Sequence, residues 1–287
     1  MSTMISPYEI TLAEFKMLSD YVYKQIGIHL AEHKIMLVRS RLSKRLRELS
    51  LGSFEEYYGY LLNDDSGEET IMLVNAISTN VTSFFREASQ WDYLEHEIKK
   101  IESTKEEKTL RIWSAACSSG QEPYTIAIFL LSTLKLPQNW DIKILATDIS
   151  EDILKKAMRG QYSEQDVGNL PKNMLAKYFD KIKVTTKQDN FFVYKIKQFI
   201  KDMVVFRSFN LVYGNYEKIP AKFDYIFCRN VMIYFDKETK NGVVRNLASK
   251  LVKKGLFFIG HSESLVTMKD GLFKLEEPSI YRIQDKK

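Results

Sequence analysis

After residue 108 the chain alternates short apolar runs with stretches of helical periodicity, and that alternation restricts its fold more than any other feature. The runs are TLRIWSAA, IKILATD, MVVFRSF, FDYIFC and GLFFIG; helical stretches over about 123–134, 151–158 and 237–252 fall among them. A run that is apolar throughout is buried on both faces, and strands separated by helices pair in parallel, so the pattern predicts an α/β domain with a doubly wound sheet. Between 160 and 201 the alternation breaks. There Phe192, Tyr194 and Ile196 alternate with Val193, Lys195 and Lys197, the period of two expected of a small antiparallel β insertion.

The first ninety residues read differently. Phe15, Leu18, Val22 and Ile26 recur at helical spacing, as do Ile35, Val38, Leu42, Leu46 and Leu49; Phe54, Tyr57, Tyr58 and Leu61 follow Ser53, placed as an N-cap with Glu56 three residues on. The spacing predicts an all-α domain over 1–88 and an α/β domain over 89–287, with the insertion at about 160–201. The polar stretch KKIESTKEEK (99–108) is expected to be an exposed connection.

With 45% hydrophobic and 28% charged residues, 12 Gly and 6 Pro, the composition excludes collagen-like and disordered chains. The longest nearly apolar stretch, Ile126 to Leu134, is about half of the roughly 20 residues a membrane-spanning helix needs. The first residues lack a basic segment followed by an apolar one, so a cytoplasmic protein that does not insert into membranes is expected. Cys117 and Cys228 lie far apart, without a Cys-x-x-Cys pattern or a neighbouring His, and read as buried thiols; no metal site is expected. The net charge of +5 is uneven: residues 1–90 hold nine Lys/Arg against twelve Asp/Glu, a balance of −3 that leaves +8 for the remainder. Nucleic-acid binding wants a broad basic surface, and none is expected here.

In an open parallel sheet, ligands bind beyond the carboxyl ends of the strands. The segments to inspect are therefore 115–122, Asp148, Asn210 and Leu211, Arg229 and Asn230, and 261–263. Ala115 to Gly120 is a turn of small residues entering a helix, which admits a ligand close to the backbone. It matches neither G-x-G-x-x-G nor a Gly-Lys-Ser/Thr ending, which disfavours NAD and ATP. Glu122 in its place repels phosphate and welcomes a cationic amino group, while Asp148 is positioned to accept both hydroxyls of a ribose. A nucleoside with a positively charged tail satisfies both. His261-Ser262-Glu263 is not read as a catalytic triad, because sequence adjacency is not triad geometry.

The segments ISTNVTSFFRE (77–87), RIWSAACSSGQEPYTIAI (111–128), ATDIS (146–150), FDYIFCRNVMIYFD (223–236) and FFIGHSESL (257–265) resemble the motifs of the chemotaxis receptor glutamate O-methyltransferases, the CheR family. The resemblance implies a class I S-adenosylmethionine-dependent methyltransferase domain, Rossmann-like, behind an all-α N-terminal domain. It implies methyl transfer from S-adenosyl-L-methionine to glutamate side chains on the cytoplasmic domains of methyl-accepting chemotaxis receptors, with S-adenosyl-L-homocysteine as product. Carried over position by position, the cofactor contacts are Asn80, Thr82, Arg86, Glu122, Asp148, Asn210, Leu211, Arg229 and Asn230, and the catalytic pair is Arg86 and Tyr234. Phe84, Phe85, Tyr234 and Phe235 are candidates for an aromatic surround of the sulfonium. Recruitment to membrane receptor arrays follows from the same resemblance.

A basic island, Lys34 to Arg47, holds six Lys/Arg and no acid. On a helical wheel Lys34, Arg41 and Arg45, with Lys44 nearby, flank an apolar face and are expected to dock acidic receptor helices. The hairpin region 183–201 contains no glycine, whereas family members that dock a receptor's C-terminal pentapeptide tend to have one, so that tether is not expected. The competing readings are a methyltransferase for another substrate and an S-adenosylmethionine-binding signalling module without turnover.

Overall fold

The computed structural model describes residues 8–77, 81–185, 190–266, 268 and 271–284. The chain divides into two compact units. One takes the described residues of 1–79 together with Tyr234–Lys240, the other those of 80–233 and 241–287.

The first unit contains α1 (Leu12–Ile26), α2 (Ile35–Leu49), α3 (Phe54–Leu62) and α4 (Glu68–Ile77). Thr11 and Glu14 close a capping box on α1, and Gly27 ends that helix at φ 74°, a left-handed cap that suits glycine. Ser53 caps α3 by accepting from Glu56 N, while the Glu56 carboxylate takes Gly52 N. The apolar faces read from the sequence meet in the core: Phe15, Leu18, Val22, Val38, Leu42, Leu46, Phe54, Tyr57 and Leu61 are buried. One charge sits among them. Glu69 is 4% exposed and accepts Arg45 Nε at 2.9 Å, Arg45 Nη2 at 2.6 Å and the Tyr57 hydroxyl at 2.8 Å. The segment Tyr234–Lys240 joins this unit through His29 N, which donates to the Tyr234 carbonyl at 2.8 Å, and through a hydrogen bond from Tyr23 to Asp236.

The second unit opens with α5 (Ala88–Thr104), then β1 (Thr109–Ala115), α6 (Gln121–Thr133), β2 (Asp141–Asp148) and α7 (Glu151–Arg159). The insertion follows as β3 (Gln161–Ser163), α8 (Glu164–Val167), α9 (Lys172–Tyr178), β4 (Phe179–Thr185), β5 (Asn190–Ile196) and α10 (Gln198–Lys201). The main sheet resumes with β6 (Val204–Ser208), β7 (Phe223–Cys228), α11 (Lys237–Ala248, in this unit from Asn241 on), β8 (Leu251–Ile259), β9 (Phe273–Glu277) and β10 (Ile280–Ile283). The seven-stranded sheet has the order β6-β2-β1-β7-β8-β10-β9. β6 through β8 pair in parallel, whereas β10 is antiparallel to both β8 and β9. Strand order reverses between β1 and β7, so the switch point lies where the expected ligand site was placed. The insertion forms its own antiparallel sheet, β3-β5-β4.

Two local expectations are corrected, and one hairpin had no counterpart in the sequence reading. The stretch 99–108 is not wholly a connection, because α5 continues to Thr104: Leu94 and Ile98 are buried and Ile101 packs on the same core, so the lysines are its outer face. The last long helix stops at Ala248 and its strand begins at Leu251, with a bulge against β7. Gly255 makes this possible, since a Cβ there would stand 2.9 Å from Val252 O and 3.0 Å from Asp224 O. The C-terminal hairpin of β9 and β10 was not anticipated at all. No described helix is long and apolar enough to cross a membrane.

Candidate active site

The loop after β1 is built from conformations that L-residues avoid. Ala116 has φ 63°, Ser118 φ 50° and Gly120 φ 91°. Its hydrogen bonds explain how it persists: Cys117 N donates to Thr147 O at 2.8 Å, and Ser118 N donates to Asp148 Oδ2 at 2.8 Å. Gly120 is required for packing, not for an open approach to the backbone, because a Cβ would meet Ala157 Cβ at 2.9 Å and the Tyr162 hydroxyl at 3.1 Å. The same hydroxyl donates to Ser119 O at 2.9 Å, tying the loop to the insertion. A polar recess of about 420 Å³ adjoins the loop, lined by Ser119, Gln121, Lys156, Arg159, Gln161, Tyr162 and Asp166. Neither Asp148 nor Glu122 lines it.

Asp148 ends β2 and is 8% exposed. Burial pushes its carboxyl above the usual carboxylate range, against the opposing donors Ser150 N, Ser118 N and Ile149 N. Its backbone carbonyl accepts Phe209 N at 3.0 Å, which brings the end of β6 alongside. There Asn210 folds an Asx turn, Oδ1 accepting Val212 N at 2.8 Å and Tyr213 N at 3.1 Å, and Leu211 is buried.

Glu122, in the first turn of α6, accepts the Ser114 hydroxyl at 2.7 Å and Arg229 Nη1 at 3.2 Å. Burial raises its pKa, and Arg229 and Ser114 oppose the rise. Arg229, just beyond β7, has a side chain 2% exposed. Its Nη2 donates to the Arg86 carbonyl at 2.6 Å and to Glu87 Oε2 at 2.9 Å. Glu87 is the residue that sequence reasoning missed. Its other oxygen takes Asn230 Nδ2 at 3.3 Å and His261 N at 3.0 Å, so one carboxylate joins the segments that follow β7 and β8. Burial pushes its carboxyl up, but Arg229 and these donors outweigh it and hold the pKa below the usual value. Lying next to Arg86 in FFRE, it carried no signal in the sequence beyond its charge.

The second unit therefore brings together Arg86 through its carbonyl, Glu122, Arg229 and Asn230, with Asp148, Asn210 and Leu211 on the neighbouring strand ends. Thr82 lies half-buried on the segment before Arg86, whose Nη1 donates to Val81 O at 2.9 Å. Asn80 lies outside the described residues, as does the hairpin tip 186–189. Phe84 is not a free aromatic wall: it packs edge-on against Tyr162 and Phe179 in the core. Cys117 and Cys228 are buried, and burial pushes both thiols well above their ordinary range.

Tyr234 belongs to the first unit, where the Lys34 ammonium stands 4.8 Å from its ring centroid. The basic face of α2 is less available than its helical wheel implied. Arg41 Nη1 donates to Ile77 O at 2.7 Å, satisfying the C-terminus of α4, and Arg45 is paired with Glu69 and Glu48. These guanidiniums serve the helix contact because α4 presents a buried acid and open carbonyls to α2. Lys44 keeps 78% of its side chain exposed, 3.7 Å from Glu48, and Arg47 is exposed as well.

Glu122 and Glu87 share the guanidinium of Arg229, while Asp148 has backbone N–H groups and no cation among its described partners. This donor set fits S-adenosylmethionine: it offers surplus acceptors for ribose hydroxyls and ammonium hydrogens, favours a sulfonium and disfavours phosphate.

Residues 80–281 match the CheR methyltransferase SAM-binding domain, and residues 13–78 match the CheR methyltransferase all-alpha domain. A chemotaxis protein methyltransferase of Borreliella burgdorferi is 42% identical over 264 residues, covering 89% of each chain. That of Escherichia coli is 36% identical over 272 residues, 94% of this chain and 91% of its own. Chemotaxis protein methyltransferase 2 of Pseudomonas aeruginosa is 38% identical over 261 residues, 90% and 89% of the two chains.

Proposed function

The chain belongs to the CheR family of S-adenosylmethionine-dependent methyltransferases, and from that premise we propose that it methylates glutamate side chains on the cytoplasmic helices of chemotaxis receptors. The observation that carries this reading is the acid-rich strand-end network around Arg229, which suits a cationic methyl donor, beside Arg86, whose cation suits an anionic acceptor that needs no base to deprotonate it. A glutamate has a pKa of about 4.3 and is an anion at neutral pH, so it needs none.

When bound, S-adenosylmethionine supplies an electrophilic methyl group on a sulfonium. The chain's residues bind and orient. Asp148 accepts the ribose hydroxyls, Glu122 takes the ammonium, and Asn210, Leu211, Asn230 and Thr82 complete the pocket. Arg229 holds the strand ends together as the charge partner of Glu122 and Glu87. Arg86 spends Nη1 on Val81 O, and the other edge of its guanidinium fork grips the substrate carboxylate. The CheR resemblance assigns the second catalytic role to Tyr234. Proximity of this kind is worth several kcal/mol of the barrier, on the order of the 7–11 kcal/mol available to well-oriented reactants.

The helical unit supplies the docking surface. Its exposed cations Lys44 and Arg47 face an acidic receptor helix, while Arg41 and Arg45 keep α2 seated on α4 and Lys34 steadies Tyr234. Recruitment to receptor arrays runs through this surface and not through a membrane-inserted segment. The test is methylation of a purified receptor cytoplasmic fragment, with the modified residues located by mass spectrometry. Glutamate methyl esters are expected, and the double variant Lys44→Glu/Arg47→Glu lowers their yield at least fivefold while leaving affinity for S-adenosylhomocysteine unchanged. Modification of RNA or a small molecule in preference to the fragment refutes the substrate assignment.

A further inference from the structure

The GHSES segment after β8 contains a carboxylate with a job that the triad-like spelling conceals. Glu263 is 6% exposed and faces backbone N–H groups. Its Oε2 accepts Gly260 N at 2.6 Å and Asn230 N at 3.0 Å, and its Oε1 accepts Met232 N at 2.7 Å; Ile233 N also donates to it. Three of these four donors lie in the segment that leaves β7. A segment leaving the end of a strand has N–H groups without ladder partners, and a buried anion is one way to satisfy them together.

The segment needs that support. Asn230 has φ 60°, in the left-handed region that non-glycine residues seldom occupy. Gly260 closes the cage from the other side: a Cβ there would lie 2.9 Å from both Asn230 N and Asn230 Cγ. Glu87 holds the Asn230 side chain and Glu263 its backbone, so the two carboxylates fix the residue from opposite ends. His261 and Ser262 make no comparable contribution to that cage; His261 Nε2 lies 3.4 Å from the Ser89 hydroxyl.

We propose that Glu263 is a positioning residue of the methyltransferase site: it touches neither cofactor nor substrate, but holds Asn230 in the left-handed conformation in which Asn230 meets the cofactor. The inference rests on the reading of Asn230 as a cofactor contact. Replacing Glu263 by Gln substitutes an amide NH2 for one acceptor oxygen and sets it against backbone donors, which repels the segment instead of gathering it.

The test is calorimetric affinity for S-adenosylhomocysteine, measured well below each protein's Tm, for Glu263→Gln, Asn230→Gly and the double variant. Asn230→Gly removes the side chain while keeping the left-handed backbone accessible. Glu263→Gln is expected to weaken affinity at least tenfold, and to add less than twofold once Asn230 is Gly, because it acts through that residue. Affinity within twofold of wild type for Glu263→Gln overturns the proposal, as does an equal loss in both backgrounds, which marks a fold-wide role. Unchanged affinity in Asn230→Gly instead removes Asn230 from the cofactor site and takes the premise with it. Should Glu263→Gln not fold, Glu263→Asp decides: it keeps the charge but retracts the carboxylate by one methylene, and a loss of at least fivefold is expected where wild-type affinity contradicts.

Discussion

Replacing Asp148 by Asn changes one atom and separates the loop-holding work of that carboxylate from its binding work. In the wild type, Oδ2 accepts Ser118 N at 2.8 Å and Oδ1 accepts Ser150 N at 3.1 Å, at a site only 8% exposed. An Asn side chain keeps one acceptor and turns an NH2 toward the other donor. One backbone N–H is thereby orphaned, costing about 1–3 kcal/mol of stability. If the orphan is Ser118 N, the residue at φ 50° loses its anchor and the loop before α6 relaxes. A ribose hydroxyl donating to a carboxylate forms a charge-assisted bond worth about 1.5–3 kcal/mol, and its loss weakens cofactor affinity by roughly 10- to 150-fold. Calorimetry with S-adenosylhomocysteine reads the second quantity and urea unfolding the first. The reasoning is refuted if affinity stays within twofold of wild type while stability falls, because Asp148 is then a loop anchor alone.

Further expectations follow from other parts of the chain. Glu69→Ala orphans the buried Tyr57 hydroxyl and leaves Arg45, 21% exposed, with only Glu48, so it lowers the unfolding free energy by about 3 kcal/mol, measured by chemical denaturation. Gly120→Ala forces a Cβ into a left-handed site 2.9 Å from Ala157 Cβ, costing about 2–4 kcal/mol and lowering Tm, whereas the same change at Gly59, with nothing near its Cβ position, is tolerated. Glu87 has a folded pKa below its ordinary 4.5, so it contributes stability above that value and loses the contribution as pH falls through the folded pKa; Glu87→Gln flattens this acid limb in pH-dependent melts. Glu122 and Asp148 are shifted the other way, so on acidification they lose charge above the usual carboxylate range and cofactor affinity falls before the Glu87 contribution does, as calorimetry across pH reads. Cys117 and Cys228, buried with thiols pushed upward, react with a thiol reagent only after denaturation.

What the sequence disclosed was the part of the structure coded by neighbours along the chain. The runs around Ile112, Ile144 and Phe227 are mostly apolar because most of their side chains are buried between layers, and that pattern pointed to the polar ends of the strands. What it hid depended on distant partners. Arg45 and Glu69 are 24 residues apart and Arg41 and Ile77 are 36 apart, so α2 looked like an open basic face until α4 was in place. Glu87 acts on Arg229 and His261, 142 and 174 residues away, and nothing local distinguishes it from a surface acid. The β9–β10 hairpin was missed because β9 is a partly exposed edge strand whose FKLEE spelling lacks a clean alternation, while β10 offers only four residues. The extension of α5 through Lys99 and Lys100 was missed because its outer face is polar enough to resemble a linker. Gly120 was read as room for a ligand when the space is filled by Ala157 and Tyr162, a distinction only tertiary packing makes.

The central claim is that the strand-end site transfers a methyl group to carboxylate oxygen on a receptor. The most direct test is to incubate the protein with labelled S-adenosylmethionine and receptor-containing membranes, then treat the labelled receptor band with mild alkali and collect volatile methanol. Glutamate methyl esters release their label under these conditions, and the account predicts alkali-labile counts on the receptor that disappear with Arg86→Ala. Label that resists alkali, or that accumulates on RNA or a small molecule and not on the receptor, contradicts it.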